Sequence, residues 1–200
     1  MITRGKAELM HADSESDPSL RRLWLVAAID VIVPRPMFLV GGAAVDLHTG
    51  RYQPTDVDIV GVVTTEDVSA LVDAGFVDEA GRHLRWDYPD GTSEFVEFPG
   101  STLKGSFERI RLSDTVAVNV ITVESLLVDR IAQATDGTDV TFNEALRVIV
   151  ATADRVDWSA VAVEINANPE TPYLGSKEKA HELLVAAGLS DIAAAHFTAS

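Results

Sequence analysis

Apolar and polar positions alternate with two different periods along this chain, and the change of period divides it. Leu20, Leu23, Trp24, Ala27, Ala28 and Val31 recur at helical spacing, so residues 18–33 are predicted as an amphipathic helix. Asp17 followed by Pro18 supplies a cap and a first-turn proline, and Pro34 and Pro36 end the helix. Residues 37–40 read as a buried strand, 42–49 as a short helix closed by Gly50, and 57–63 as a nearly continuous apolar strand from the middle of a sheet. A further helix opens at Thr64-Thr65-Glu66-Asp67 and runs to Asp73. Strands at 83–88 and 92–98 are expected to pair around Pro89-Asp90-Gly91, and strands at 107–112 and 115–121 around Ser113-Asp114. After Ile121 the period becomes helical, with helices predicted at 123–134, 142–153, 157–166, 176–187 and 190–197. Leu126, Leu127, Ile131, Leu146, Ile149 and Trp158 are the expected core of that half, and Trp24 and Trp86 are read as core residues too. The fold class is therefore α+β, a mixed sheet flanked by helices and followed by a C-terminal helical unit. The polar, acidic stretch 1–17 is expected to be flexible.

Two hundred residues and 46% hydrophobic content allow one well-packed domain with a small helical appendage. Cysteine is absent, which excludes disulfides, thiolate chemistry and cysteine-based zinc sites. The N-terminal stretch lacks the apolar core of a signal peptide, and no apolar run approaches the ~20 residues of a membrane span. A cytoplasmic protein is expected. The formal net charge of −15 repels phosphate backbones, so broad DNA binding is not expected, although one RNA end could dock through a local patch. Twelve arginines against four lysines, beside abundant acids, fit either a salt-adapted surface or ordinary acidic solubility. The five histidines are scattered without ligand spacing.

The candidate chemistry lies in Phe38-Leu39-Val40-Gly41-Gly42-Ala43-Ala44-Val45-Asp46-Leu47 and the following Thr55-Asp56-Val57-Asp58-Ile59-Val60. Residues i and i+2 of a strand share a face, so Asp56 and Asp58 present two carboxylates side by side. Paired hard oxygens suit Mg²⁺, and a glycine turn opening a helix suits a phosphate. Separately, a double glycine is also compatible with a plain tight turn, and an Asp-x-Asp with a solvated strand end or a cap. Together they point to chemistry on a nucleoside triphosphate.

The order strand, Gly-Gly, helix, turn, strand with Asp-x-Asp resembles the nucleotidyltransferase superfamily, with its DNA polymerase beta-like fold. Its branches include CCA-adding enzymes, aminoglycoside nucleotidyltransferases, minimal nucleotidyltransferases of toxin–antitoxin pairs and AbiE-type toxin enzymes. The resemblance spans about residues 37–130 and lies nearest the AbiE-type and minimal branches. It implies a nucleotidyltransferase-like core at 18–122 and a helical unit at 123–200. It also implies transfer of a nucleoside monophosphate from an NTP such as ATP, with Mg²⁺ or Mn²⁺ held by Asp56 and Asp58. The acceptor would be an RNA 3′ end such as that of tRNA, or a protein hydroxyl. A cognate antitoxin or toxin partner, a catalytically inactive regulatory module and a small-molecule acceptor of the aminoglycoside kind are alternatives within the same resemblance.

The family turn is often Gly-Ser, and Gly42 takes the serine's place here beside Gly41. A third carboxylate is expected from a neighbouring strand, usually an aspartate. Glu97, between apolar residues in Phe95-Val96-Glu97-Phe98, is the candidate metal ligand and general base. Glu94 is the runner-up, and strand alternation places it on the opposite face from Glu97. Both could instead lie on an exposed edge strand. Arg51, five residues before the Asp pair, could contact the triphosphate or be a solvated loop arginine. Arg130 follows a Glu124–Leu127 opening similar to that of AbiE-like proteins; it could reach phosphates or pair with Asp129 or Glu124.

Overall fold

The computed structural model describes residues 5–80, 83–167 and 174–197. Two compact units divide the chain, Met1–Ile121 and Thr122–Ser200. The first contains helices α1 (Lys6–Ser14), α2 (Pro18–Ile32), α3 (Gly41–Thr49) and α4 (Thr65–Ala74). Its strands are β1 (Phe38–Leu39), β2 (Asp56–Val60), β3 (Val77–Asp78), β4 (His83–Asp87), β5 (Ser93–Glu97), β6 (Phe107–Arg111) and β7 (Ala117–Ile121). They form one mixed sheet in the order β3-β4-β5-β2-β1-β7-β6.

Alternation along the strands gives the sheet two unlike faces. Leu39, Val57, Ile59, Leu84, Val96, Val118 and Val120 are buried, and the cross-strand register puts them on one side. Helix α2 packs over this side with Leu23, Leu25, Val26 and Ile29 inward. Asp17 caps α2 by accepting from the Ser19 and Leu20 amides, as the sequence predicts. Asp56, Asp58 and Glu97 project from the other face.

The segment 1–17 departs from expectation. Residues 1–4 lie outside the described residues, but 6–14 form α1, which packs on α2 with Leu9 and Ala12 buried. Its own periodicity is weak; tertiary packing rather than propensity stabilises it. Trp24 and Trp86 are half-buried rather than core residues. Trp24 stacks on His11 at 4.4 Å between ring centroids, and the Trp86 indole donates to Asp13 at 2.9 Å. Both tryptophans clamp α1 to the rest of the unit. Strand β2 stops at Val60 instead of 63, because Gly61 turns where a side chain would meet Met37 at 2.7 Å. The two-residue β3 is too short to show a period and was not anticipated.

The second unit contains α5 (Val123–Gln133), α6 (Asp139–Thr152), α7 (Trp158–Ala167), α8 (Ser176–Ala186) and α9 (Ser190–His196). Among its described residues there is no strand. Leu126, Leu127, Ile131, Ile149 and Trp158 are buried as expected; Leu146 is only half-buried, with Ala145 and Val148 taking the inward positions. Helix α6 starts three residues before its expected start at 142, because Thr138 caps it by accepting from the Thr141 amide. Among the described residues, no helix is long and apolar enough to cross a membrane.

Candidate active site

Parallel pairing of β2 with β5 sets Asp56 opposite Phe95, Val57 opposite Val96 and Asp58 opposite Glu97. Each of Asp56, Asp58 and Glu97 is half-buried and can offer one oxygen, and those oxygens lie within 4.8 Å of one another. The sequence-predicted carboxylates thus converge on one spot. Oxygens this close repel unless a cation or a proton stands between them. The donor set is all carboxylate, which matches Mg²⁺ or Mn²⁺ rather than a softer metal.

Gly41 shapes this spot. Its φ is +61°, a region unfavourable to other residues, and a Cβ there would fall 1.9 Å from Asp58 Oδ2. The backbone therefore passes against the Asp58 carboxylate where no side chain fits. The Val40 amide donates to the Asp58 carbonyl at 3.0 Å, fastening the turn to β2. At Gly42 a Cβ would meet the Tyr52 ring at 2.9 Å and Pro54 at 3.3 Å, so this glycine admits the loop that leads into β2. No side chain caps α3, whose first turn is Gly41-Gly42-Ala43. The N-terminal end of α3 lies beside the Asp58 carboxylate and carries partial positive charge.

Glu97 has a partner that sequence reasoning missed. His83, opposite it on β4, places Nδ1 2.8 Å from Glu97 Oε1. Neither residue shows spacing to the other in the chain; only the register brings them together. Glu94 faces the other way, as alternation predicts, and is buried. Its Oε2 accepts from Arg22 Nε at 3.1 Å, while Arg22 NH1 stands 3.5 Å from Asp46 Oδ2, which also accepts from Ser19. Burial pushes the Glu94 carboxyl up from its ordinary range, Arg22 opposes this, and the charge of Asp56 adds to it. This network ties α2, α3 and β5 together behind the carboxylate cluster. Its sequence signal was the unexplained Arg22 on an otherwise apolar helix face.

Arg51 is exposed in the loop before β2, and its amide donates to Thr49 Oγ1 at 3.3 Å. Arg130 belongs to the helical unit. There its NH1 donates to Gln133 Oε1 at 2.8 Å and lies 3.7 Å from Glu144. The partners expected for it in sequence were Asp129 or Glu124; the ion pair formed is with Glu144.

No family model matches the sequence, and no curated protein sequence matches it. Solved structures do match. The crystal structure of an antigenic nucleotidyltransferase-like protein from Paracoccidioides brasiliensis superposes with a TM-score of 0.61 at 16% identity, covering 92% of this chain and 96% of that one. The solution structure of the antibiotic-resistance factor ANT(2'')-Ia matches at 16% identity with a TM-score of 0.36, covering 85% of this chain and 86% of that one. The first likeness establishes the architecture: this chain has the fold of a nucleotidyltransferase-like protein.

Proposed function

We propose that this protein is a metal-dependent nucleotidyltransferase that moves a nucleoside monophosphate from an NTP to an RNA 3′ end. The observation that carries this is the convergence of Asp56, Asp58 and Glu97 beside the uncapped, glycine-opened N-terminus of α3. Asp56, Asp58 and Glu97 would hold Mg²⁺ or Mn²⁺, and the bound ion would neutralise charge developing at the α-phosphate. The Gly41 and Gly42 amides are donors for the triphosphate, with the helix end favouring its negative charge. Glu97 is the group to take the proton of the acceptor hydroxyl as its oxygen bonds to the α-phosphorus and pyrophosphate leaves. His83 orients Glu97 by engaging Oε1, which leaves Oε2 for that task. Arg51 is the nearest loop cation in sequence to the Asp pair and serves the triphosphate. Arg130, turned to Glu144 within its own unit, is given no part in the step.

The test is incubation of the purified chain with α-labelled NTP, Mg²⁺ and RNA. Label is expected on the RNA 3′ end, and its transfer is lost in Asp56→Ala. Label appearing on protein would reassign the acceptor to a protein hydroxyl, and label on a cationic aminoglycoside supplied in a parallel incubation in place of RNA would reassign it to a small molecule. No label anywhere, with no Mg²⁺-dependent stabilisation by NTP, would make the protein an inactive module. A cognate antitoxin or toxin is tested by co-purification with the product of the neighbouring gene.

A further inference from the structure

We infer that the open sheet face formed by β1, β7 and β6 is a docking platform for single-stranded RNA, with Phe38 and Phe107 stacking bases and Arg109 and Arg111 holding phosphates. This rests on the RNA acceptor proposed above. The cross-strand register places these residues. Asp58 and Val60 share a face of β2; Val60 stands opposite Phe38, Phe38 opposite Asn119, and Asn119 opposite Arg109. Alternation along β6 then adds Phe107 and Arg111 to that face. The platform therefore lies on the same side of the sheet as the carboxylate cluster, three strand spacings or about 14 Å from β2. A single strand lying across the sheet covers that distance in two or three nucleotides.

The chemistry of the face fits RNA. Phe107 is 47% exposed on an edge strand and meets Phe38 edge-on, with 4.9 Å between ring centroids. Exposed aromatics offer stacking surfaces to any base. Arg109 and Arg111 are exposed and form no ion pair among the described residues, whereas Arg21, Arg22, Arg35 and Arg85 each do. Beside them a shallow, open cavity of about 550 Å³ runs from Phe107 and Arg109 to Arg35, with Asn119 on its floor. Asp30 also lines it; its carboxylate accepts from the Met37 amide at 3.0 Å and is drawn to the charge of Arg109. In a chain of net charge −15, two exposed arginines beside two aromatic rings form a local exception, with Asp30 offsetting part of the Arg109 charge. Distant acidic charges are screened over about 8 Å at physiological salt, so they do not cancel it. An acidic protein segment would use the arginines but would leave the aromatic rings without bases to stack, which is why RNA is the assigned occupant.

Fluorescence anisotropy with a labelled single-stranded RNA of about 12 nucleotides tests this. The measurement uses the full chain without NTP or Mg²⁺. Arg109→Ala with Arg111→Ala is expected to weaken binding at least ~10-fold and to lower the slope of log K against log salt by about 1.4, since each phosphate contact on a single strand contributes about 0.7. Phe107→Ala is expected to weaken binding about 10-fold while leaving that slope unchanged. Arg147→Ala, an exposed arginine of the helical unit, serves as the control with binding retained. Unchanged binding in the double arginine variant or in Phe107→Ala overturns the platform, as does tighter binding of DNA of the same sequence. Transfer assays on the parent protein and on these variants, set beside the titrations, separate the two proposals. Retained RNA binding without transfer in the parent protein fails the function and keeps the platform; transfer with unaltered binding in the arginine and phenylalanine variants does the reverse.

Discussion

Glu94 and Glu97 stand three residues apart on β5 and serve different purposes because they face different sides of the sheet. Glu94 points into the helix-covered side, where burial raises its carboxyl and Arg22 compensates part of the cost. Glu97 points to the other side, where its oxygen lies within 4.8 Å of those of Asp56 and Asp58 and His83 stands beside it. The covered side satisfies its charges internally, with Arg22 set between Asp46 and Glu94. The open side leaves three carboxylates grouped around a glycine turn. Three carboxylates brought within 4.8 Å of one another at a glycine turn form a cation-binding geometry that the Arg22 network on the covered face does not, so the cluster is read as a binding site.

Substitutions on the two faces should therefore separate activity from stability. The largest expected effect is on the open face. Asp56→Ala should lower nucleotidyl transfer by about 10³-fold or more, since metal charge stabilisation supplies several kcal/mol. Its melting temperature should move little. Transfer assays and thermal denaturation on the same preparation check this. On the covered face, Arg22→Ala leaves Glu94 and Asp46 buried without their cation and should cost about 3 kcal/mol of stability. NTP-dependent stabilisation should persist in that variant, and a loss of binding with intact folding would merge the two faces into one functional unit. Gly41→Ala lies between them. Its Cβ would strike Asp58, and its positive φ penalises any side chain, so about 2 kcal/mol of stability should be lost together with transfer. Retention of transfer in Gly41→Ala would show that the turn does not shape the cluster.

Much of the open face was legible because its signals are local. The i, i+2 spacing of Asp56 and Asp58, the double glycine and the 2-residue alternation at Glu94 and Glu97 all follow from strand geometry. What escaped were relations set by register or tertiary packing. His83 meets Glu97 only because β4 and β5 pair in one particular register. Helix α1 forms only because α2 offers a surface for Leu9 and Ala12, and the polar sequence around them looks like a flexible tail. Leu146 misses the core by one position on α6, an error no larger than the uncertainty of a helical phase read from sequence. The fold of the Paracoccidioides brasiliensis protein agrees with the sequence-derived architecture at 16% identity, because pattern outlasts identity.

The smallest predicted effects are in pH dependence, and they oppose each other. The Glu94 carboxyl is raised in the folded protein, so the folded state holds that proton more tightly than the unfolded chain. The associated stability is present at acid pH and declines as pH rises through the raised value. Glu94→Gln should remove that decline in melts taken between about pH 4 and 8. Exposed Asp90 behaves oppositely. Hydrogen bonds from Thr92 and from Arg21 hold its carboxyl down at about 2, so its contribution is present above the ordinary aspartate range and fades as pH falls toward that value. Asp90→Asn should flatten the acid limb alone, and an effect near neutrality would contradict the assignment.

The contrast between the faces is tested most directly by titrating Mn²⁺ into the protein with ATP and following the free ion by electron paramagnetic resonance. The parent chain and Glu94→Gln should both remove Mn²⁺ from solution in the presence of ATP beyond what ATP alone binds, whereas Asp58→Asn should not. Equal uptake by Asp58→Asn and the parent, or none by the parent, would contradict a metal site at Asp56, Asp58 and Glu97.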